Sequence, residues 1–461
     1  MSNDQKNLKF FEGGSGGKLS SKKVSPQKLF YLQQLGCAKN LVEGEHISGL
    51  LMEAGWQPVA KPSQADALIV NTCGFIRPAV EESLAAVMEM AADKRPEQRL
   101  VVVGCLVGRY GKKLAAELEE ADLLVSPGEV PRLTELLEEP DQRLSISPAR
   151  TIFGASSPRA ISTGPGWAYL RLSDGCGHRC GFCTIPAIRG RLRSRPLDDV
   201  LTEAAELAGA GVKELNLVAQ DLTAYASDLG MERGIAALLP KLAAIDGIEW
   251  IRLLYLHPDS ADDTLLETMA QTPKVVPYFD LPVQHISDPV LNAMRRQKSG
   301  AQVRALVNRV RELAPGATLR TTVMTGHPGE GDKEFAELMA FVETAQFDHL
   351  GCFAYEPEPG TRSARLKRPP AKLARARARK IMALQKNISR ERLKALKGQE
   401  LECLVLGPHP DSDLVWQGRL ASQAPEVDGE VIITQGSAEP GDIVLCRVTK
   451  THAYDVEAAL L

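Results

Sequence analysis

The sequence predicts an α/β protein in three parts: an N-terminal open parallel α/β sheet, a central partial (β/α)6 barrel, and a small OB-like antiparallel β-barrel at the C-terminus. Three observations carry this. Two successive stretches alternate short β-rich runs with helical periodicity, as βαβ units demand. From Gln399 onward, five short strand patterns punctuated by Gly and Pro replace that alternation. At 461 residues the chain also exceeds one hydrophobic core, the size of roughly three domains at about 150 residues each.

The elements follow in order. Residues 1–28 read as a disordered tail, because Gly13-Gly14-Ser15-Gly16-Gly17 and the neighbouring lysines cannot build a core. Over 29–143, strand patterns at 29–35, 67–70, 100–103 and 122–125 alternate with helical patterns at 42–54, 79–92, 112–120 and 132–139. The Ser, Pro and Gly of 144–166 suggest a crossing linker. Six strand patterns follow within 167–361, at 168–172, 213–218, 250–256, 275–281, 319–324 and 350–355, too few for an eight-unit barrel. Residues 362–397 are strong helix formers and read as a basic connecting helix. Over 398–461, strand patterns at 400–406, 414–420, 431–434, 443–448 and 453–460 make the last domain.

Apolar residues at 44% and charged residues at 25% describe an ordinary globular protein. No apolar run approaches the ~18 residues of a bilayer span, and MSNDQKNLKF is too polar for a signal peptide, so a cytoplasmic protein without membrane contact is expected. Thiols stay reduced there, and nine cysteines, an odd number, fit metal or redox chemistry better than a disulfide framework. The net charge of −3 conceals a pattern: +4 over 1–28, −12 over 29–361, +13 over 362–397 and −8 over 398–461. A dense basic segment implies an anionic partner or an acidic neighbour.

The cysteines carry the chemistry. Cys176-x3-Cys180-x2-Cys183 follows the first strand pattern of the barrel series, where barrel active sites form. Three thiolates at this spacing can ligate three irons of a [4Fe–4S] cluster and leave the fourth open. Zinc is the competing reading, with His178 as a fourth ligand inside the loop; zinc motifs more often pair their ligands, so the cluster is favoured. Cys37, Cys73 and Cys105 are isolated in sequence, yet each ends a parallel-strand pattern, at the sheet edge where ligands of open α/β sheets bind. One buried cysteine in a sheet is ordinary; three at one edge suit a second cluster. Cys352, Cys403 and Cys446 sit in apolar strand patterns and read as core. No P-loop or Rossmann glycine fingerprint appears, so nucleoside triphosphate and NAD readings lack support.

With Phe182 before the last cysteine, the loop resembles that of the radical S-adenosylmethionine (SAM) methylthiotransferases. LGCAKN, NTCGFI and VGCL resemble that family's three-cysteine auxiliary-cluster domain, and 398–461 resembles a TRAM domain. The family has a branch acting on transfer RNA, which tends to read GCQMN, VVPYTRG, GQNVNAYG and LPVQSGS. The corresponding segments here are GCAKN, TIPAIRG, AQDLTAY and LPVQHIS. They resemble instead the branch that methylthiolates the β-carbon of an aspartate in the twelfth small-subunit ribosomal protein. His327 before Pro328, Glu356 and Gln423 depart from the branch's usual wording, and none is a cluster ligand.

The resemblance implies a transferase with two [4Fe–4S] clusters and SAM. Cys176, Cys180 and Cys183 would hold the cluster that cleaves SAM to a 5′-deoxyadenosyl radical. Cys37, Cys73 and Cys105 would hold the auxiliary cluster where a second SAM methylates sulfur. Phe182 would meet adenine through its backbone; Gln220, Gln284 and Thr322, at strand ends, are candidate SAM contacts, with Asp221 and His285 beside them. Arg189, in a basic group with Arg191 and Arg193, would meet the SAM carboxylate or the target aspartate. The implied partners are a basic ribosomal protein, free or within the ribosome, and an external electron donor. The stretch 362–397 would contact ribosomal RNA or, the preferred reading, pack as a solvated face beside acidic domains. The −8 terminal domain, with only Trp416 and Tyr454 as aromatics, suits a basic protein better than RNA. Two alternatives stay open: a tRNA adenosine methylthiotransferase, and a non-catalytic iron–sulfur or zinc protein that binds nucleic acid.

Overall fold

The computed structural model describes residues 27–149 and 152–461. All but the last two residues of the tail expected at 1–28 lie outside the described residues. Among the described residues no helix is long and apolar enough to cross a membrane. Two compact units are present: one holds the chain up to Ser162 with Asp174–Cys176 and Thr184–Arg191, the other holds Thr163–Ser173, Gly177–Cys183 and Leu192–Leu461.

The first unit is built on six parallel strands: β1 (Leu29–Gln34), β2 (Gln57–Pro58), β3 (Ala67–Thr72), β4 (Arg99–Gly104), β5 (Leu123–Val125) and β6 (Leu144–Ser145), in the order β2-β1-β3-β4-β5-β6. Helices α1 (Ala38–Glu53), α2 (Arg77–Ala92) and α3 (Cys105–Glu117) make the crossovers. Side-chain alternation explains the layers. Ile69, Val101 and Val103 face Ile47 and Leu51 of α1, while Val70, Leu100 and Val102 face Val87 of α2 and Leu106 of α3. With both faces covered, these strands read as continuous apolar runs.

The expected linker at 144–166 is different in kind. It opens as the edge strand β6, and the chain beyond that strand is strapped onto α1 by one buried carboxylate. Glu45 pairs with Arg159 at 2.6 Å and accepts from the Ser162 amide at 2.7 Å, and His46 stacks on Phe153. Ser, Pro and Gly suit irregular backbone whether it is free or docked, so composition alone did not separate the two.

In the second unit, β7 (Trp167–Arg171), β8 (Glu214–Val218) and β9 (Trp250–Leu253) form one parallel sheet in the order β9-β8-β7. Strands β10 (Tyr278–Asp280), β11 (Thr318–Thr325) and β12 (His349–Ala354) form another, and the bridge Ile251–Val275 leads from β9 toward it. Strands β7 and β12 each pair on one side, which is the partial six-unit barrel the sequence predicts.

The basic stretch is α-helical only from Ala371 to Lys394, here α4, after a single 3-10 turn at Ser363–Arg365, so the helix expected over 362–397 is shorter. Pro369 and Pro370 explain it: Pro presets a helix start and forces the residue before it out of helical conformation. Helix α4 buries Ala374, Ile381 and Ile388 and exposes Lys372, Arg375, Arg379, Lys386, Arg390 and Lys394 on the opposite face, one helical turn apart.

The chain ends in a closed five-stranded barrel: β13 (Glu400–His409), β14 (Ser412–Leu420), β15 (Val431–Gln435), β16 (Ile443–Thr451) and β17 (Val456–Leu460), in the order β13-β14-β15-β17-β16. Cys403 and Cys446 lie in its core with Val405, Val431 and Val456. One expectation needs correcting. The barrel is not wholly antiparallel, because β15 and β17 run parallel; β16 lies between them in sequence, and closure of five strands leaves one parallel seam.

This barrel is locked to the partial barrel through residues 419–428, and all six strands take part. Glu214 of β8 is fully buried between Arg252 of β9 and Arg419. Arg252 also donates to the Ala421 carbonyl at 2.7 Å, and His349 of β12 bonds the Ser422 carbonyl at 2.8 Å. Asp428 accepts from Tyr278 of β10 at 2.6 Å and pairs with Arg320 of β11 at 3.4 Å, while Tyr169 of β7 donates to Glu426 at 3.3 Å.

Candidate active site

Three cysteines of the first unit end or follow parallel strands. Cys37 caps the N-terminus of α1, Cys73 follows β3 directly, and Cys105 opens α3 directly after β4. Helix N-termini carry partial positive charge, which favours thiolates. Glycines beside the cysteines let the three segments close in. A Cβ on Gly36 would lie 3.0 Å from the Cys73 Cβ, and one on Gly74 would lie 2.7 Å from the Cys105 carbonyl oxygen. That LGC, TCG and VGC each pair a glycine with the cysteine is the signal a closer reading of the sequence would have used.

As free thiols the three differ. Burial pushes the Cys105 thiol up to about 12, against the pull of Arg189, and it raises Cys73. Cys37 is exposed as a residue, yet desolvation is still the largest influence on its thiol. The Lys39 ammonium and the amides of Asn40 and Lys39 outweigh it and hold the thiol below its ordinary range.

Arg189 lies in the first unit beside Cys105. Its guanidinium forks onto Glu43 with two contacts of 2.8 Å, donates to Asn40 Oδ1 at 2.9 Å, and reaches the Cys105 Sγ from Nε at 3.2 Å and from Nη2 at 3.0 Å. It is 2% exposed, and its donors meet Glu43, Asn40 and Cys105 within the first unit. Residues 184–191 follow the three-cysteine loop in the chain, but sequence distance said nothing about which unit they join.

Around that loop, Asp174–Cys176 belongs to the first unit, where the Cys176 amide donates to the Gly190 carbonyl at 3.2 Å. Residues 177–183 belong to the second. There the Gly181 amide donates to Met294 O at 2.9 Å, its carbonyl accepts from Ser363 at 2.8 Å, and Cys183 closes a turn on Cys180 O at 3.2 Å. His178 Nε2 lies 2.8 Å from Asp221 Oδ2, and its ring stacks on His257 at 3.7 Å between centroids. His257 Nε2 comes within 3.8 Å of Cys180 Sγ. Burial, with the charges of Arg296 and His178, keeps His257 far below its ordinary pKa and neutral.

Of the other expected contacts, Gln220 and Gln284 follow β8 and β10, Thr322 lies within β11, and Phe182 lies in the three-cysteine loop. The Gln284 amide donates to Thr322 O at 2.8 Å, and Gln284 O accepts from Met324 at 2.7 Å, which joins two of them directly. Gln284 adopts φ +67°, a left-handed conformation that costs a non-glycine residue free energy and collects at functional sites. Gln220 follows β8 beside Asp221, and Phe182 meets His327 edge-on at 6.1 Å. Sequence reasoning missed His257, Arg296, Asn40 and Glu43, which carry no motif of their own.

Among the described residues, no three His, Cys, Asp or Glu side chains are gathered tightly enough for a single metal ion. A cubane cluster spreads its three protein ligands over three irons. Three thiols with no carboxylate among them, two of them at helix starts and one backed by an arginine, fit such a cluster in their chemistry.

Comparison with known proteins matches three stretches of the chain. Residues 29–126 match the model of "Uncharacterized protein family UPF0004", 170–342 the "Radical SAM superfamily", and 398–461 the "TRAM domain". Among solved structures, the radical SAM methyltransferase TsrM from Kitasatospora setae superposes with a TM-score of 0.55 at 14% identity, over 73% of this chain and 75% of that one, which is a likeness of fold. Fold and matches define a radical SAM enzyme with a TRAM domain. "Ribosomal protein uS12 methylthiotransferase RimO" of Syntrophobacter fumaroxidans is 46% identical over 93% of this chain and 98% of that protein. Its counterpart in Trichlorobacter lovleyi is 42% identical over 96% and 99%. The chain belongs to the RimO family of ribosomal protein uS12 methylthiotransferases.

Proposed function

We propose that this chain adds a methylthio group to the β-carbon of an aspartate in ribosomal protein uS12, with one SAM as radical source and another as methyl donor. Cys176, Cys180 and Cys183 hold the SAM-binding [4Fe–4S] cluster, and Cys37, Cys73 and Cys105 hold the auxiliary one. When bound, these groups supply the electron transfer, radical chemistry and sulfur that no side chain can. The chain's own residues ligate, orient and exclude water. Gln220 and Gln284 after β8 and β10, Thr322 of β11 and Phe182 of the cysteine loop contact SAM, and the Gly181 hydrogen bonds to Met294 and Ser363 fix the loop's backbone. An external reductant provides the electron.

The observation that carries this reading is the convergence of three sequence-distant cysteines at one sheet edge, in a chain that also bears the CxxxCxxC loop. The acidic terminal barrel supports docking of a basic protein. The exposed stripe on α4, with Lys372, Arg379, Lys386 and Arg390 facing solvent, supports a further contact with ribosomal RNA beside that protein, while the acidic neighbours of Arg375 and Lys394 at 3.6 and 3.8 Å weigh toward a solvated face. Anaerobic reconstitution tests the enzyme class: about eight irons per chain and reductant-dependent SAM cleavage are expected, whereas stoichiometric zinc overturns it. Mass spectrometry of uS12 tests the substrate. A methylthio mass gain that disappears in Cys37→Ala is expected, and modification of tRNA adenosine instead overturns the substrate assignment.

A further inference from the structure

The buried arginine at Cys105 does more than a structural ion pair requires. A guanidinium that forks onto a carboxylate already satisfies its charge with two N–H groups. Arg189 is 2% exposed and forks onto Glu43 at 2.8 Å twice, yet it also aims Nε and Nη2 at the Cys105 sulfur, at 3.2 and 3.0 Å. A neutral thiol is a weak acceptor and repays two charged donors poorly; a thiolate is a strong one. The arrangement is also held in place. Asn40, whose Oδ1 takes the arginine at 2.9 Å, donates through Nδ2 to the carbonyls of Leu35 and Thr72, at 3.3 and 2.8 Å. Leu35 lies two residues before Cys37, and Thr72 immediately precedes Cys73. One asparagine thus keys the arginine to both of the other cysteine-bearing segments.

We propose that Arg189 is a positioning residue of the auxiliary centre, donating from Nε and from a shared Nη2 N–H to the Cys105 thiolate and, with Glu43 and the more distant Asp174 as its counter-charges, raising the reduction potential of the cluster bound there. The inference rests on the assignment of Cys37, Cys73 and Cys105 as that cluster's ligands. Its sign follows from distance. The guanidinium nitrogens touch the sulfur while the carboxylate lies behind them, so the nearer positive charge dominates. Hydrogen bonds and positive charge at a ligand sulfur stabilise the reduced, more negative cluster. Removing Arg189 therefore lowers the potential, and removing the charge of Glu43 raises it. A pair that only held the fold together would not give opposite signs.

The experiment uses the full chain with Cys176, Cys180 and Cys183 all replaced by Ala, so that the auxiliary cluster is measured alone. Redox titration followed by electron paramagnetic resonance gives its midpoint, and iron analysis gives its content, about four per chain. Arg189→Gln should shift the midpoint negative, Glu43→Gln should shift it positive, and Arg189→Lys, which keeps charge but not the planar fork, should restore part of the first shift. Midpoints that stay at the parent value, or move in one direction for both, overturn the inference. Should Arg189→Gln fail to fold or to load iron, the sign for Glu43→Gln decides. A parent chain that binds no iron overturns the ligand assignment itself, and the inference with it.

Discussion

His178 and His257 lie face to face, ring centroids 3.7 Å apart and planes 8° from parallel, one bonded to Asp221 and the other to Arg296. The stack couples the three-cysteine loop to the segment after β9. His257→Ala removes the ring and takes an acceptor from the buried Arg296, so a loss of about 1–3 kcal/mol is expected. His257→Phe restores only the ring contact, about 0.5–1.5 kcal/mol of it. Urea unfolding of the three proteins checks the order.

Gly175 has φ +76°, and a Cβ there would overlap the Arg191 carbonyl. Gly175→Ala should therefore displace Cys176 from its hydrogen bond to Gly190. Iron per chain should fall from about eight toward about four, and iron analysis after anaerobic reconstitution measures it.

His327 is fully buried, and burial lowers its pKa to about 4 despite the opposing hydrogen bond to the Pro328 carbonyl. Its neutral ring meets the Ser363 hydroxyl at 2.8 Å. The unfolded chain binds this proton first, so the stabilisation is complete above pH ~6.5 and declines as pH falls toward 4. The shift corresponds to roughly 3 kcal/mol. Between pH 7 and 4.5 the parent protein should lose more thermal stability than His327→Phe; equal losses would reject a buried neutral histidine.

Much of this was readable in the chain because burial on both faces makes parallel strands conspicuous. All the longer strands of both units were expected within a few residues, whereas β2 and β6 are two residues each and leave no periodicity. The parallel seam between β15 and β17 was invisible for another reason: a strand pattern fixes faces, not partners. The cysteines were found because thiols are scarce and their positions relative to strands are regular. The partners of Arg189 were not legible, because Glu43, Asn40 and Cys105 lie 84 to 149 residues away and nothing local distinguishes it from Arg191.

Glu214 sits between two arginines, fully buried, and their charges hold its carboxyl below the usual range against the cost of burial. Losing one partner of such a cluster costs about 3–5 kcal/mol. Arg419→Met leaves Glu214 with Arg252, while Glu214→Gln strands both arginines. The second substitution should lower the melting temperature more, as differential scanning calorimetry would show.

The grip of all six barrel strands on residues 419–428 also sets how the terminal barrel works. A module on a flexible tether offers its guest an effective concentration that depends on linker length. Here the module has no tether of that kind. Whatever the acidic barrel holds is presented at one fixed offset from the ends of β7–β12, like a workpiece in a jig. Lengthening the turn after α4 would not extend its reach, and for a protein docked on the barrel as proposed, selection among aspartates would be a matter of distance along it.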